Sequence, residues 1–320
     1  MSDVDEKQVK AAAWSLFGLL VVWALAADLG LFRKADTEDR AVTVRGAATR
    51  SVAWIALSLT FGLVVLYLYG QQAALSYFTA YLLEKSLSID NIFVFVVIFA
   101  ELRIPLDRQR TVLLWGVIGA LAMRALLIGA SLFVLNRFHW VVYPFALLII
   151  LAAARLLWGR QEQQKIVRTA CGVCTSWVAR FIPITPRLDG NRFLLREGRR
   201  LVATPLLVAL IIIETTDIVF ALDSVPAVLA VTRDPFLVYT SNIFAMLGLR
   251  SLYFLVAGIV DRFRFLRFGL AAILAFFGAK LLLTDVIEAP VALSLGVIAA
   301  AIGLSVAMSI LWPPKRDAST

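Results

Sequence analysis

Nine runs of about twenty predominantly apolar residues, separated by shorter charged stretches, leave this chain very few ways to fold. They occupy residues 11–32, 51–69, 76–100, 111–135, 140–158, 204–232, 236–260, 268–284 and 290–312. A helix rises 1.5 Å per residue, so about twenty residues cross the hydrocarbon core of a bilayer. Within that core only helices and closed barrels satisfy their own backbone hydrogen bonds. Composition points the same way: 61% of the 320 residues are hydrophobic and 17% charged, where soluble domains have roughly 45–50% and about 25%. A water-soluble enzyme is excluded. The expected fold class is all-α, a polytopic transmembrane helical bundle of about nine spans.

The formal charge of +9 does not point to nucleic acid, because the basic residues lie between the apolar runs, where they orient a membrane protein. With the N-terminus outside, 22 Lys and Arg residues fall on the cytoplasmic side and four on the other. That bias predicts a cytoplasmic C-terminus in a bacterial inner membrane; an eight- or ten-span reading would scramble it. The N-terminal MSDVDEKQVK is polar and acidic and does not read as a cleavable leader. Residues 159–203 form the one sizeable polar segment, arginine-rich and carrying Cys171 and Cys174 in a CxxC spacing. Structural zinc needs four ligands; His139, the single histidine, falls on the opposite side as an interfacial residue. Incidental thiols or a minor redox pair remain as readings.

Five carboxylates lie where lipid should be: Glu84 and Asp90 in the third span, and Glu214, Asp217 and Asp223 in the sixth. Each such charge costs about 2.5–3.5 kcal/mol on insertion scales, so intramembrane acids mark sites. Counting rise from the span ends puts Glu84 and Asp223 at one level, roughly 12–14 Å below the outer surface. Asp90 then lies near the level of Glu214 and Asp217, and all five converge if the two spans pack. Asn91, Ser224, Thr215, Thr216 and Asn242 complete an all-oxygen donor set suited to Mg²⁺, Ca²⁺ or Mn²⁺. Four bases, Lys85, Arg124, Arg250 and Lys280, offer the competing reading of structural ion pairs, while Arg155 is expected to snorkel from its span end. Asp28 is a secondary candidate. No nucleophile–base pair or histidine occurs within the spans, so no enzyme activity and no prosthetic group are expected.

The acidic segments repeat. Glu84, Asp90, Asn91 and Glu101 align with Asp217, Asp223, Ser224 and Asp234; Arg124 aligns with Arg250, and Arg155 with Lys280. Spans three to five thus match spans six to eight. Three spans per unit is an odd number, so the second unit is inverted, as in transporters with midplane sites. The organisation is an N-terminal two-span unit (1–70), repeat A (71–158), a basic cytoplasmic loop (159–203), repeat B (204–287) and a C-terminal span with a tail (288–320). Pro226, three residues beyond Asp223, predicts a break in span six that frees carbonyls as further ligands. Gly116, Gly119, Ala120 and Ala122 in span four permit close helix packing.

The stretches YLLEKSLSIDNIFVF (81–95), REGRRLVATPLL (196–207), ETTDIVFALDSVPAVLAVTRDPFLVYTSNIFAMLGLRSLYFLVAG (214–258) and FGLAAILAFFGAKLL (268–282) resemble the TerC family of integral membrane proteins. That family is named for tellurium resistance and related to the LysE transporter superfamily; the likeness is greatest to its Alx-type branch, whose members are associated with manganese export. The resemblance implies metal association, with the acidic motifs at Glu84, Asp90, Asn91, Glu214, Asp217 and Asp223. The expectation is a secondary transporter exporting Mn²⁺ in exchange for protons, with Arg124, Arg250 and Lys280 holding unloaded carboxylates. The alternative is a membrane scaffold for protein insertion, metalation or tellurite-stress complexes, meeting membrane-protein partners and lipid through the 159–203 loop.

Overall fold

The computed structural model describes residues 3–28, 44–157, 160–198, 200–257, 265–284, 286 and 289–312. The helices are α1 (Asp3–Asp28), α2 (Val44–Glu101), α3 (Leu106–Arg137), α4 (Val142–Leu157), α5 (Arg160–Phe181), α6 (Pro205–Leu229), α7 (Pro235–Met246), α8 (Leu249–Val256), α9 (Leu266–Leu282) and α10 (Val291–Leu311). Every apolar run of the sequence coincides with one of them or with a consecutive pair. Length and composition alone qualify Arg45–Glu101, Leu106–Arg137, Pro205–Leu229 and Val291–Leu311 to cross a membrane; Ala13–Ala24 and Val142–Leu157 are shorter apolar helices. The fold is an all-α membrane bundle.

α2 carries two of the runs. Its 58 residues would extend about 87 Å if straight, nearly three bilayer cores. Gly70 folds it back, at φ +82° and ψ −179°, a conformation open to glycine and strained for other residues. The Tyr77 hydroxyl donates to the Ser58 carbonyl at 3.0 Å, and the Phe61 and Tyr77 rings lie 5.6 Å apart. In an unbroken helix the first pair would be separated by about 28 Å and the second by about 24 Å. The two limbs of α2 are therefore spans two and three.

The heaviest packing between the repeats joins α4 with α9, α3 with α6, and α2 with α7. In repeat terms these pairs are third span with third, second with first, and first with second. A two-fold axis relating inverted units generates that set. The fully buried apolar side chains fall into two clusters towards opposite ends of these helices. One holds Ala80–Leu87 of α2, Ile128–Leu135 of α3 and Ala221–Leu229 of α6. The other holds Ile92–Phe99, Val112–Leu121 and Leu206–Ile213 of the same three helices. α2 and α6 are thus antiparallel, and a layer without buried apolar residues separates the clusters. A third cluster ties α1 and the first limb of α2 to α7 through Phe17, Phe61, Phe236 and Phe244.

Two expectations need correction. α6 runs unbroken through Pro226, because that proline sits in its last turn and its carbonyl still accepts from the Ala230 amide at 3.0 Å. The interruption falls in span seven instead, where Gly248 adopts φ +77° between α7 and α8. Nor is 159–203 merely a loop. It contains α5 and an antiparallel hairpin, β1 (Leu194–Glu197) and β2 (Arg200–Ala203), with Leu194 opposite Ala203. The Thr204 hydroxyl fastens the hairpin to the start of α6 by donating to the Arg192 and Phe193 carbonyls at 2.9 and 3.0 Å.

Candidate functional site

Charges meet at the edge of the layer between the apolar clusters: Arg124 and Asp217 lie within it, and Glu84 lies between Leu83 and Leu87 of the first cluster. Arg124 projects from α3 with 2% of its surface exposed, Glu84 from α2 with 0%, and Asp217 from α6 with 2%. Arg124 Nη1 donates to Glu84 Oε1 and to Asn242 Oδ1 of α7, the latter at 3.1 Å, and Arg124 Nε lies 3.6 Å from Asp217 Oδ2. One guanidinium so gathers side chains from both repeats. Asn242 is oriented by its own amide, which donates to the Val238 carbonyl at 3.3 Å. Two carboxylates against one cation leave a formal charge of −1. Buried charge is tolerated only when paired and hydrogen-bonded, yet Glu84 Oε2 and Asp217 Oδ2 have no hydrogen-bond partner among the described residues, and neither has Ser224 Oγ, about two turns further along α6. Two carboxylate oxygens with unused capacity fit a hard cation or a proton.

Glu214 and Asp223 flank this centre along α6. The Glu214 carboxylate rests on the Cα face of Gly119, where a Cβ would collide with it, and it lies within electrostatic reach of Asp217. Gly119 is thus what lets α3 approach α6 at this level. Asp223, half-buried, lies within electrostatic reach of Arg155 on α4 and of Arg124. Asp90 is half-buried and engaged with other groups, and Asn91 is buried. Arg250 also has interactions of its own. Lys280 Nζ donates to Ser294 Oγ of α10 at 3.1 Å and stands over the Phe277 ring. The Thr215 and Thr216 hydroxyls are turned back onto the Ile211 and Ile213 carbonyls of their own helix. The Asp28 and His139 side chains lie outside the described residues.

The structure brings Glu84, Asp217, Arg124 and Asn242 into one bonded group and sets Glu214 and Asp223 above and below it on α6. It does not gather five acids into a cage. Among the described residues no three Asp, Glu, His or Cys side chains converge as metal ligands. The buried clusters pair Ala80–Leu87 of α2 with Ala221–Leu229 of α6 and Ile92–Phe99 with Leu206–Ile213, so the Glu84 backbone lies near the level of Asp223, and it is the reach of the Arg124 side chain that joins Glu84 to Asp217. Three residues act in ways the sequence reading missed. Gly119 makes room for Glu214. Arg155, half-buried on α4, lies within electrostatic reach of Asp223. Lys85 Nζ donates to the Ala245 and Leu247 carbonyls, at 3.0 and 3.5 Å, and so closes the gap left where α7 stops.

A bundle of two inverted three-span units with a charged layer between apolar ends defines a polytopic helical membrane protein. The chain belongs to the TerC family of integral membrane proteins, whose sequence profile matches residues 69–317. It is 46% identical over 308 residues to an uncharacterised membrane protein of Myxococcus xanthus, covering 95% of each chain. It is 37% identical to proteins named "Putative membrane-bound redox modulator Alx" from Photorhabdus laumondii, over 96% of each chain, and from Escherichia coli K12, over 89% of this chain and 90% of that one. No solved structure matches it.

Proposed function

We propose that the chain is a secondary transporter that exports a divalent metal cation, Mn²⁺ being the best fit, in exchange for protons. The observation that carries this reading is the buried pair of carboxylates, Glu84 and Asp217, sharing one guanidinium between inverted repeats while Glu84 Oε2 and Asp217 Oδ2 accept no hydrogen bond among the described residues, Asp217 Oδ2 having only its 3.6 Å contact with Arg124 Nε. All-oxygen donors without thiolate or imidazole favour Mg²⁺, Ca²⁺ or Mn²⁺. With the N-terminus outside a bacterial inner membrane, Asp90 and Glu214 lie on the cytoplasmic side of the centre, and Asp223 lies on the outer side. The cation would pass from the first pair to Glu84 and Asp217 and leave past Asp223. A carboxylate that gives up its cation can take a proton, which supplies the exchange. Arg124 is the resident counter-charge: it holds Glu84 and Asp217 when no cation is bound and must loosen its grip when one is.

The test is Mn²⁺ flux into proteoliposomes with and without a pH gradient. Native protein should carry gradient-dependent flux, and Glu84→Gln or Asp217→Asn should abolish it. Flux that survives both substitutions would remove this site from the reading. A second reading, a membrane scaffold, draws support from the folded α5 and hairpin, which give 159–203 a defined surface. Replacing those residues with a short linker separates the two: a scaffold loses function, whereas a transporter keeps its flux.

A further inference from the structure

α5 presents two apolar stripes to different surroundings. Val167, Cys171, Cys174 and Val178, spaced four, three and four residues apart, face the bundle and join the cluster that includes Leu206 and Val208 of α6. Ile166, Val173, Trp177 and Phe181, spaced seven, four and four, form a second stripe about a quarter-turn away. Nothing among the described residues covers it: Val173 is 63%, Trp177 56% and Phe181 70% exposed. The Trp177 and Phe181 rings stand edge to face at 4.9 Å, a preformed aromatic pair. The helix is too polar to be a span, and none of the membrane-length apolar helices includes it.

We infer that α5 is an interfacial helix whose Ile166, Val173, Trp177 and Phe181 stripe inserts among the headgroups of an anionic bilayer on its own side of the membrane. This goes beyond the transport reading and does not rest on it. Placement is the first reason. The Arg168 Nε–Glu101 Oε2 pair at 3.4 Å holds α5 at the end of α2, and its inner stripe packs on the beginning of α6. Both are points where spans leave the bilayer, so the lipid boundary lies alongside the helix. Charge complementarity is the second reason. Lys165 and Arg180 lie beside the stripe, and Arg187, Arg196 and Arg200 are exposed on the segment that follows. A helix with aromatic and aliphatic residues on one face and bases at its margins lies in the plane of an anionic interface. Tryptophan favours that depth, with its ring in the apolar boundary and its N–H towards water.

The experiment uses full-length protein in single-copy nanodiscs of phosphatidylcholine, with or without phosphatidylglycerol. The difference in emission between native protein and Trp177→Phe isolates Trp177, whose exposure makes the replacement safe for folding. With phosphatidylglycerol present, the Trp177 signal should shift to the blue, be quenched by acyl chains brominated near the headgroup, and lose its quenching by aqueous acrylamide. Val173→Glu, on the same exposed stripe, should reverse all three changes. Acrylamide quenching that persists in both lipids, without quenching by brominated chains, would overturn the inference. Equal shielding in both lipids would overturn the role given to the bases. In parallel discs loaded with two copies, shielding that appears there and not in the single-copy discs would assign the stripe to self-association and overturn it as well.

Discussion

Removing the Arg124 guanidinium is the most direct challenge to the charged layer. Arg124→Gln keeps a polar side chain in α3 but leaves Glu84 and Asp217, 0% and 2% exposed, facing one another with a formal charge of −2. Breaking a buried ion pair by deleting one partner costs about 3–5 kcal/mol, and Asn242 loses its charged donor besides. At about 2–4 °C per kcal/mol for a domain of this size, the unfolding midpoint in detergent should fall by roughly 10 °C. A double-mutant cycle with Glu84→Gln isolates the pair. Once Glu84 is neutral, loss of Arg124 should cost less, with a coupling of at least about 1.5 kcal/mol. The combined Glu84→Gln, Arg124→Met and Asp217→Asn variant removes every charge of the group and should regain most of the stability, yet bind no cation. Excess Mn²⁺ should raise the midpoint of Arg124→Gln more than that of the native protein, since only the native site already contains a cation. An Arg124→Gln protein as stable as the native one, with coupling under about 0.5 kcal/mol, would refute the shared-guanidinium arrangement.

Gly119→Ala should act on the site more than on the fold. The atoms its Cβ meets are the carboxylate end of Glu214, so the side chain swings aside. Mn²⁺ affinity should fall while the unfolding midpoint moves by only a few degrees. Lys85→Met leaves the Ala245 and Leu247 carbonyls without their ammonium donor and should destabilise by about 2–4 kcal/mol, read as an earlier thermal transition. In α5, outside the spans, burial chiefly pushes the Cys171 thiol up to about 11, aided by the Glu101 charge and by Cys174. Only about one thiol in ten thousand is then a thiolate at pH 7. Alkylation of Cys171 in folded protein should be slow and should keep accelerating beyond pH 9, whereas an exposed cysteine levels off there. A rate that levels off near pH 8 would refute this burial.

The helical membrane bundle was legible, because hydropathy over twenty residues is a sum that local errors hardly disturb, and four of the helices it marks are long and apolar enough to cross a membrane. The site was legible as a list of residues and not as a geometry. Rise counting gives backbone levels, but whether one guanidinium bonds Glu84 and also reaches Asp217 depends on side-chain reach, which spacing does not give. Arg155 was read only as a snorkelling end residue, and its electrostatic reach to Asp223 depends on how α4 packs, which spacing does not give. α5 was read as loop because bases interrupt its apolar stripes, a pattern made for a boundary with one side on protein. Pro226 drew attention as a breaker, but a proline three residues from a helix end removes little, and a glycine with positive φ did the breaking instead.

That glycine also explains why two related units are not alike. With Arg124 set on Arg250, Gly248 falls on Ala122 and Asn242 on Gly116. α3 runs unbroken for 32 residues with alanine at that point, whereas α7 and α8 are separated by Gly248 at φ +77°. Asn242 supplies an oxygen to Arg124, but Gly116 has no side chain to offer Arg250. The inverted halves therefore share a scaffold and divide the work: one furnishes the central cation and the other a hinge-like break that Lys85 stabilises. Gly248→Ala tests the structural half of this division. A Cβ there forces a left-handed residue that costs about 1–2 kcal/mol and would stand 2.8 Å from Trp54 Cβ, too close to the first limb of α2 to be relieved by a rotamer. The expected loss is about 2–4 kcal/mol, measured as a lower thermal midpoint, whereas Ala122→Gly in the matching position of α3 should cost about 1 kcal/mol, the ordinary helix propensity difference. Equal effects at the two positions would mean that the break contributes nothing to holding the halves together.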